Sequence, residues 1–277
     1  MSAPSHIRFH GPRIPGGSAA LLWLGALLCA AGGYAKDPVR LIAHRGGVVD
    51  AQRPENSAAA LEEAIRRGYW MVEMDVQESK DGHLAVHHDD FLKSFGDKRW
   101  PGQMTWEEIR KLRAAEDGSR PLEFHEYAAL CRGRMRLMID TKEPSHPPGF
   151  YEQMERVLRE NGLLDEVFFI GTVEARAYFK GKGRARISVE STAELRKLVD
   201  AGEPVSGTYF LFEHGTSLAA EGIELARRCG VPAVVSINEF HYAGLDHMKA
   251  AHADIVRLGN LGVTYFQIDS IYDQWLR

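Results

Sequence analysis

The sequence predicts an α/β fold, a single (β/α)8 TIM barrel that follows a short N-terminal segment. Three observations carry that expectation. Eight short apolar runs recur along the chain after residue 38. Amphipathic stretches with helix-capping residues separate them. No Gly-rich dinucleotide fingerprint follows the first run, which argues against an open doubly wound sheet.

Residues 1–35 read as an export signal. Arg8 and Arg13 supply a positive start, and Ala19–Ala31 is apolar but shorter than the ~20 residues of a bilayer span. Gly33-Tyr34-Ala35 then places small residues where a signal peptidase cuts. The alternative is an uncleaved anchor facing outward. Lipid attachment at Cys29 is disfavoured because Leu28 precedes it. Either way residues 36–277 are expected as one domain outside the cytoplasm, periplasmic or secreted.

The candidate strands are residues 39–44, 70–76, 135–140, 166–171, 185–190, 208–213, 232–238 and 264–269. Their near-continuous apolar content fits a parallel sheet covered on both faces. Helices are expected over 57–68, 105–114, 150–162, 191–202, 217–230 and 247–262. Ser57 caps the first and Gly68 ends it. Ser191 and Glu194 have capping-box spacing at the start of the fourth.

A net charge of -4, or -6 once Arg8 and Arg13 are removed, leaves no basic face for nucleic acid or an anionic membrane surface. Any anion site must therefore be local. Of three cysteines, Cys131 and Cys229 remain after the leader. They are either a disulfide formed in an oxidising compartment or two separate thiols, and their spacing is not that of a zinc site.

In such a barrel, polar residues at the C-terminal ends of strands form the site. The first strand ends in His44-Arg45-Gly46. Glu73 and Asp75, two apart on the second, share a face, as do Asp140 and Lys142 on the third. Inward carboxylates are costly unless neutralised, and a divalent cation neutralises them economically. After the turn Lys80-Asp81-Gly82, an extended segment ends at His88-Asp89 beside the same mouth. Two imidazoles suit an acid–base pair near neutral pH. Arg45 and Lys142 suit a phosphate. His83 and His87 are expected at the surface or behind His88. His146, His214, His241, His247 and His252 have no ligand spacing. Glu190, Glu213 and Glu239 follow strands, and either line a pocket or belong to loops.

Taken together, His44-Arg45-Gly46, Pro54-Glu55-Asn56-Ser57, Val72-Glu73-Met74-Asp75-Val76, Lys80-Asp81-Gly82, the Val86 to Leu92 segment and Ile139-Asp140-Thr141-Lys142 resemble the glycerophosphodiester phosphodiesterase family in order and spacing. The resemblance spans residues 41–142. It implies a TIM barrel with one divalent metal, Ca2+ or Mg2+, held by Glu73, Asp75 and Asp140. It further implies His44 and His88 as acid and base, Arg45 and Lys142 on the phosphate, and Glu55 as support. The substrate would be a small phosphodiester. Its glycerol hydroxyl would attack phosphorus to give a cyclic phosphate, which water opens to glycerol 3-phosphate.

This sequence departs from the family in three places. Asp140 stands where many relatives have Glu, Ser236-Ile237-Asn238 lacks an aromatic residue, and Asp269-Ser270-Ile271 lacks a following Pro. Two other functions compete with the family's. One is a phospholipase D-like lyase on lysophospholipids or sphingolipids, with Phe91, Leu92, Phe95 and Trp100 as an apolar rim. Membrane contact would then come through the lipid substrate or an uncleaved N-terminus. The other is an exported binding protein without catalysis, disfavoured because no site position is replaced by an inert residue.

Overall fold

The computed structural model describes residues 37–142 and 146–277. The expected export signal, with Cys29, lies outside the described residues. Residues 36–277 form one compact unit.

Among the described residues ten strands form one sheet: β1 (Arg40–Ala43), β2 (Met71–Glu78), β3 (Leu84–Val86), β4 (Leu122–Glu123), β5 (Arg136–Thr141), β6 (Phe168–Gly171), β7 (Arg186–Val189), β8 (Tyr209–His214), β9 (Ala233–Ile237) and β10 (Tyr265–Ile268). Eight of them are the predicted runs, and all eight run parallel. β1 pairs with both β2 and β10, so the sheet closes on itself as a barrel. β3 and β4 are antiparallel additions at the C-terminal end of β2, with Val76 opposite Val86 and Ala85 opposite Glu123. The turn Lys80-Asp81-Gly82 makes this reversal, and His87 N–H donates to Asp75 O at 3.1 Å. The chain is thereby carried back over the mouth and delivers His88 there.

Helices cover the outside. Ser57 and Ser191 cap theirs as expected, accepting from Ala60 N–H and Glu194 N–H at 3.1 Å each. Besides the four-residue helix Leu92–Phe95, two helices, Phe124–Cys131 and Val173–Phe179, lie outside the expected set. At seven or eight residues each is too short for a helical period to stand out. The expected helix at 105–114 is only Trp106–Ile109, and the eighth strand is followed by a 3-10 helix, Ser270–Trp275, rather than an α-helix. Among the described residues no helix is long and apolar enough to cross a membrane. Cys131 is buried, Cys229 is half-buried, and both are free thiols.

Most of the core lies between barrel and helices. A second cluster fills the lumen with Ile42, Met71, Met138, Phe168, Phe210 and Val234. Because side chains alternate across a strand, positions two residues further on face the same lumen one layer higher. Those positions are His44, Glu73, Asp140, Ile170, Phe212 and Ser236. The apolar plug thus supports a polar cup at the barrel's C-terminal mouth.

Candidate active site

The cup begins with a tight turn after β1. Arg45 has left-handed backbone angles, φ 51° and ψ 49°. That conformation aims its N–H at Glu73 Oε2 (2.9 Å), while its carbonyl accepts from Asn56 N–H at 2.8 Å. Gly46 follows at φ +79°, where an added Cβ would lie 2.6 Å from Asn56 Cα. Only glycine fits that approach. The His44-Arg45-Gly46 motif is therefore a backbone requirement as much as a set of side chains.

Glu73, Asp75 and Asp140 converge so that one oxygen of each lies within 4.8 Å of the others. Glu73 and Asp75 are almost wholly buried. Asn56 Nδ2 donates to Asp75 Oδ2 at 3.0 Å and Gln267 Nε2 to Glu73 Oε2 at 3.4 Å. Lys142 Nζ sits 2.6 Å from Asp140 Oδ2 and 3.0 Å from Asp75 Oδ1. Its approach to Asp75 Oδ1 is poorly aligned, and that buried oxygen has no hydrogen bond among the described residues. Burial, then the nearby charge of Asp75, pushes the Glu73 carboxyl up to about 8. Burial also opposes the charge of Asp75, but Lys142, His88 and Asn56 outweigh it and bring the carboxyl down to about 2. Burial raises Asp140 despite Lys142. If all three were ionised, one ammonium would leave an excess of negative charge in a dry place, and that cost is what pushes Glu73 and Asp140 up. The donor set, three hard oxygens with one orphaned, fits a single divalent cation.

His44 is fixed from outside the predicted set. Its Nδ1 lies 2.6 Å from Asp269 Oδ1, and Glu239 N–H donates to the other Asp269 oxygen at 2.7 Å. His44 Nε2 is 4.0 Å from Glu73 Oε2. Burial disfavours the imidazolium, but the Asp269 hydrogen bond and the charges of Glu73, Asp269 and Asp75 more than offset it, so the pKa is raised. Burial likewise works against the Asp269 charge, and His44 overcomes it to lower that carboxyl.

His88 reaches the opposite side of the cup. Arg45 Nη2 donates to its Nε2 at 3.2 Å, and its Nδ1 lies 2.8 Å from Asp89 Oδ1 with poor alignment. Gln77 Nε2 donates to the carbonyls of His87 and His88 at 3.0 and 2.9 Å, pinning this segment. Arg45 Nη1 donates to the buried Glu55 Oε2 at 2.8 Å.

All eight residues singled out from the sequence therefore meet at one mouth. Arg45 and Lys142, expected to serve a phosphate, are in this structure turned to carboxylates, Arg45 to Glu55 and Lys142 to Asp75 and Asp140. Asp269, Asn56, Gln267 and Gln77 went unassigned, and Asp269 had a legible signal as the polar residue ending the eighth strand. His87 is behind the site, stacked on Phe91 at 4.5 Å and donating to Asp90 O. The apolar rim expected after His88 is not there as such. Phe91 is fully buried with Ala85, Met104 and Ile109, and Phe95 packs against that cluster, leaving Leu92 and Trp100 exposed.

Two cavities flank the cup. One, of about 680 Å³, is bounded by His44, Arg45, Asp269, Glu239, Phe240 and Ile271. The other, of about 420 Å³, is bounded by Asp140, Ile170, Phe212, Glu190, Glu213 and His214. Glu190, Glu213 and Glu239 thus line cavities. His214 stacks on His241 at 4.0 Å.

The architecture is a (β/α)8 barrel whose C-terminal mouth gathers five acids (Glu55, Glu73, Asp75, Asp140 and Asp269), two histidines and two cations around a recess. The sequence profile of the glycerophosphoryl diester phosphodiesterase family matches residues 44–254, and the chain belongs to that family. It is similar to human glycerophosphodiester phosphodiesterase 1, 38% identical over 125 residues, which is 40% of this chain and 36% of the relative. It is also similar to a glycerophosphodiester phosphodiesterase of Caldanaerobacter subterraneus subsp. tengcongensis, 41% identical over 75 residues, 27% of this chain and 30% of that one. The matches span roughly a third of these curated relatives. Among solved structures, a glycerophosphodiester phosphodiesterase from Agrobacterium tumefaciens superposes with a TM-score of 0.62 at 24% identity, covering 86% of this chain and 99% of that one. An Oleispira antarctica phosphodiesterase in complex with the product sn-glycerol-3-phosphate gives 0.65 at 21%, covering 86% and 94%. At such identities the likeness establishes the fold.

Proposed function

We propose that this protein is a divalent-metal-dependent phosphodiesterase that cleaves glycerophosphodiesters to glycerol 3-phosphate and an alcohol. One observation carries the reading: the buried Glu73–Asp75–Asp140 cluster, with His44 Nε2 4.0 Å from Glu73 Oε2. Family membership supports it, as does the product bound to the Oleispira antarctica relative.

Glu73, Asp75 and Asp140 hold one Ca2+ or Mg2+. When bound, the ion supplies positive charge against the phosphoryl oxygens as negative charge develops on them. Arg45 adds a second cation, and its Nε has no partner among the described residues. Lys142, which balances Asp75 and Asp140, adds a third. Asp269 fixes the His44 ring with Nδ1–H bound, so Nε2 is free to take a proton. It takes that proton from the glycerol hydroxyl next to the phosphate. The hydroxyl oxygen bonds to phosphorus, the bond to the alcohol breaks, and His88, its Nε2 released and protonated once Arg45 turns to the phosphate, protonates the departing oxygen. The roles then reverse: a water deprotonated at His88 opens the cyclic phosphate, and His44 returns its proton to the glycerol oxygen.

Glycerol 3-phosphate release from glycerophosphocholine is expected to stop in EDTA and to return with added Ca2+ or Mg2+. Full activity after exhaustive chelation would refute metal dependence. We also propose that residues 1–35 direct export. The secreted protein should then begin near residue 36 on N-terminal sequencing, and a retained Met1 would refute cleavage.

A further inference from the structure

The cavity of about 420 Å³ beside Asp140 has no part in the chemistry described so far. Its size falls within the roughly 300–1,000 Å³ of small-molecule sites. It adjoins the carboxylate cup, because Asp140 belongs to the cluster and also forms part of the cavity wall. Ile170 and Phe212 give that wall an apolar surface. They stand in the lumen layer above Phe168 and Phe210, and Phe212 packs on that cluster while staying only partly buried. Part of its ring is therefore offered to the cavity.

Around this apolar surface the charge is of one sign. Asp140, Glu190 and Glu213 line the cavity, and no lysine or arginine does. Lys142 balances Asp140 from the cup. Arg176, outside the lining, stands 3.5 Å from Glu190 and 3.8 Å from Glu194, so its one charge is divided. Glu213 Oε1 accepts from the Thr192 N–H and hydroxyl at 2.7 and 2.9 Å, and Glu213 makes no ion pair among the described residues. Positive charge is thus in short supply here. Glu190 and Glu213 do not join the one group of three acids that converges tightly enough for a bare ion among the described residues. Acids standing apart beside an aromatic ring suit a larger cation of low charge density. A substituted ammonium group meets both features: the carboxylates and the ring face attract its charge, and its carbons rest on Phe212 and Ile170. The two cavities also serve different ends of the reaction. His44 lines the larger, whereas Asp140, in the wall of the smaller, feels the charge of His88. The smaller cavity therefore lies toward the histidine assigned to the departing alcohol.

We propose that this cavity is a subsite for a cationic alcohol head group, in which Phe212 and Glu190 select diesters of amino or quaternary ammonium alcohols over neutral ones. The proposal rests on the phosphodiesterase reading above and deepens it by naming the alcohol.

The test compares kcat/KM for glycerophosphocholine with that for its neutral isostere, the glycerol phosphodiester of 3,3-dimethylbutanol. The two share the glycerol arm, the phosphate and the shape of the head group, and differ in its charge. The full-chain protein is used with Phe212→Leu and Glu190→Gln. The ratio of the two values is expected to fall about tenfold in Phe212→Leu, which keeps an apolar side chain but removes the ring, and several-fold in Glu190→Gln. Choline chloride should inhibit the wild type more than 3,3-dimethylbutanol does, with sodium chloride holding ionic strength constant, and that difference should shrink in both variants. Equal kcat/KM values for the two diesters in the wild type, or a ratio unchanged in the variants, would overturn the subsite and leave the phosphodiesterase standing. A wild-type protein that cleaves neither diester would overturn both. Should Phe212→Leu fail to fold, Glu190→Gln, at a half-exposed side chain, still decides the matter.

Discussion

Replacing His44 with alanine is expected to lower kcat for glycerophosphocholine by roughly 10²–10⁴ and to change KM only a few-fold. The split follows from where His44 stands. The carboxylate cluster and two cations that would bind the phosphate do not depend on it. Its own contribution is a proton moved in the transition state, an interaction that substrate binding does not use. The ring is also preset, because Asp269 holds Nδ1 at 2.6 Å and Glu239 N–H holds Asp269. Asp269→Asn should therefore lose rate as well, with KM again little changed. Folding should survive both changes, since neither side chain belongs to the apolar core. Steady-state kinetics with a thermal melt as control checks this. An unaltered kcat in His44→Ala would remove the imidazole pair from the mechanism.

The strand rhythm was legible because a parallel barrel buries both faces of each strand, and the resulting apolar runs stand out against amphipathic helices. The same reasoning located Glu73, Asp75, Asp140 and Lys142, since alternation assigns faces directly. What alternation cannot assign is the far end of a long side chain. Asp140 and Lys142 share a face as expected, yet the Lys142 ammonium turns to Asp75 and Asp140 because two carboxylates in a dry cup attract it. Asp269 stayed unassigned for another reason. It lies 225 residues from His44, and only closure of β1 against β10 makes them neighbours. The segment after His88 misled for a third reason. A long excursion between β3 and β4 needs a small core of its own, and Phe91 supplies it with Met104 and Ile109 instead of forming an exposed rim. β4, at two residues, has too little sequence to carry a pattern.

At Asp75 the expected effect reaches binding and stability together. Asp75 is fully buried, with Oδ2 held by Asn56 and Oδ1 left without an aligned donor. Asp75→Asn keeps the shape and the Asn56 neighbour but removes one of three charges from the cluster. Lys142 then balances half of the two carboxylates that remain, and the attraction for a divalent cation drops sharply. For the wild type, Ca2+ or Mg2+ at 100 times its Kd should stabilise the folded state by about 2.7 kcal/mol. In a domain of this size that corresponds to a rise in Tm of roughly 5–10 °C. The variant should show little of that rise at the same concentration, and its kcat/KM should fall by at least about 10². Without added metal its melt should fall below the wild type's, because Lys142 and His88 stabilise the buried Asp75 charge and that attraction is lost. A wild-type Tm indifferent to both cations, or a variant that gains as much as the wild type, would show that Lys142 alone neutralises the cluster and that no ion is held there.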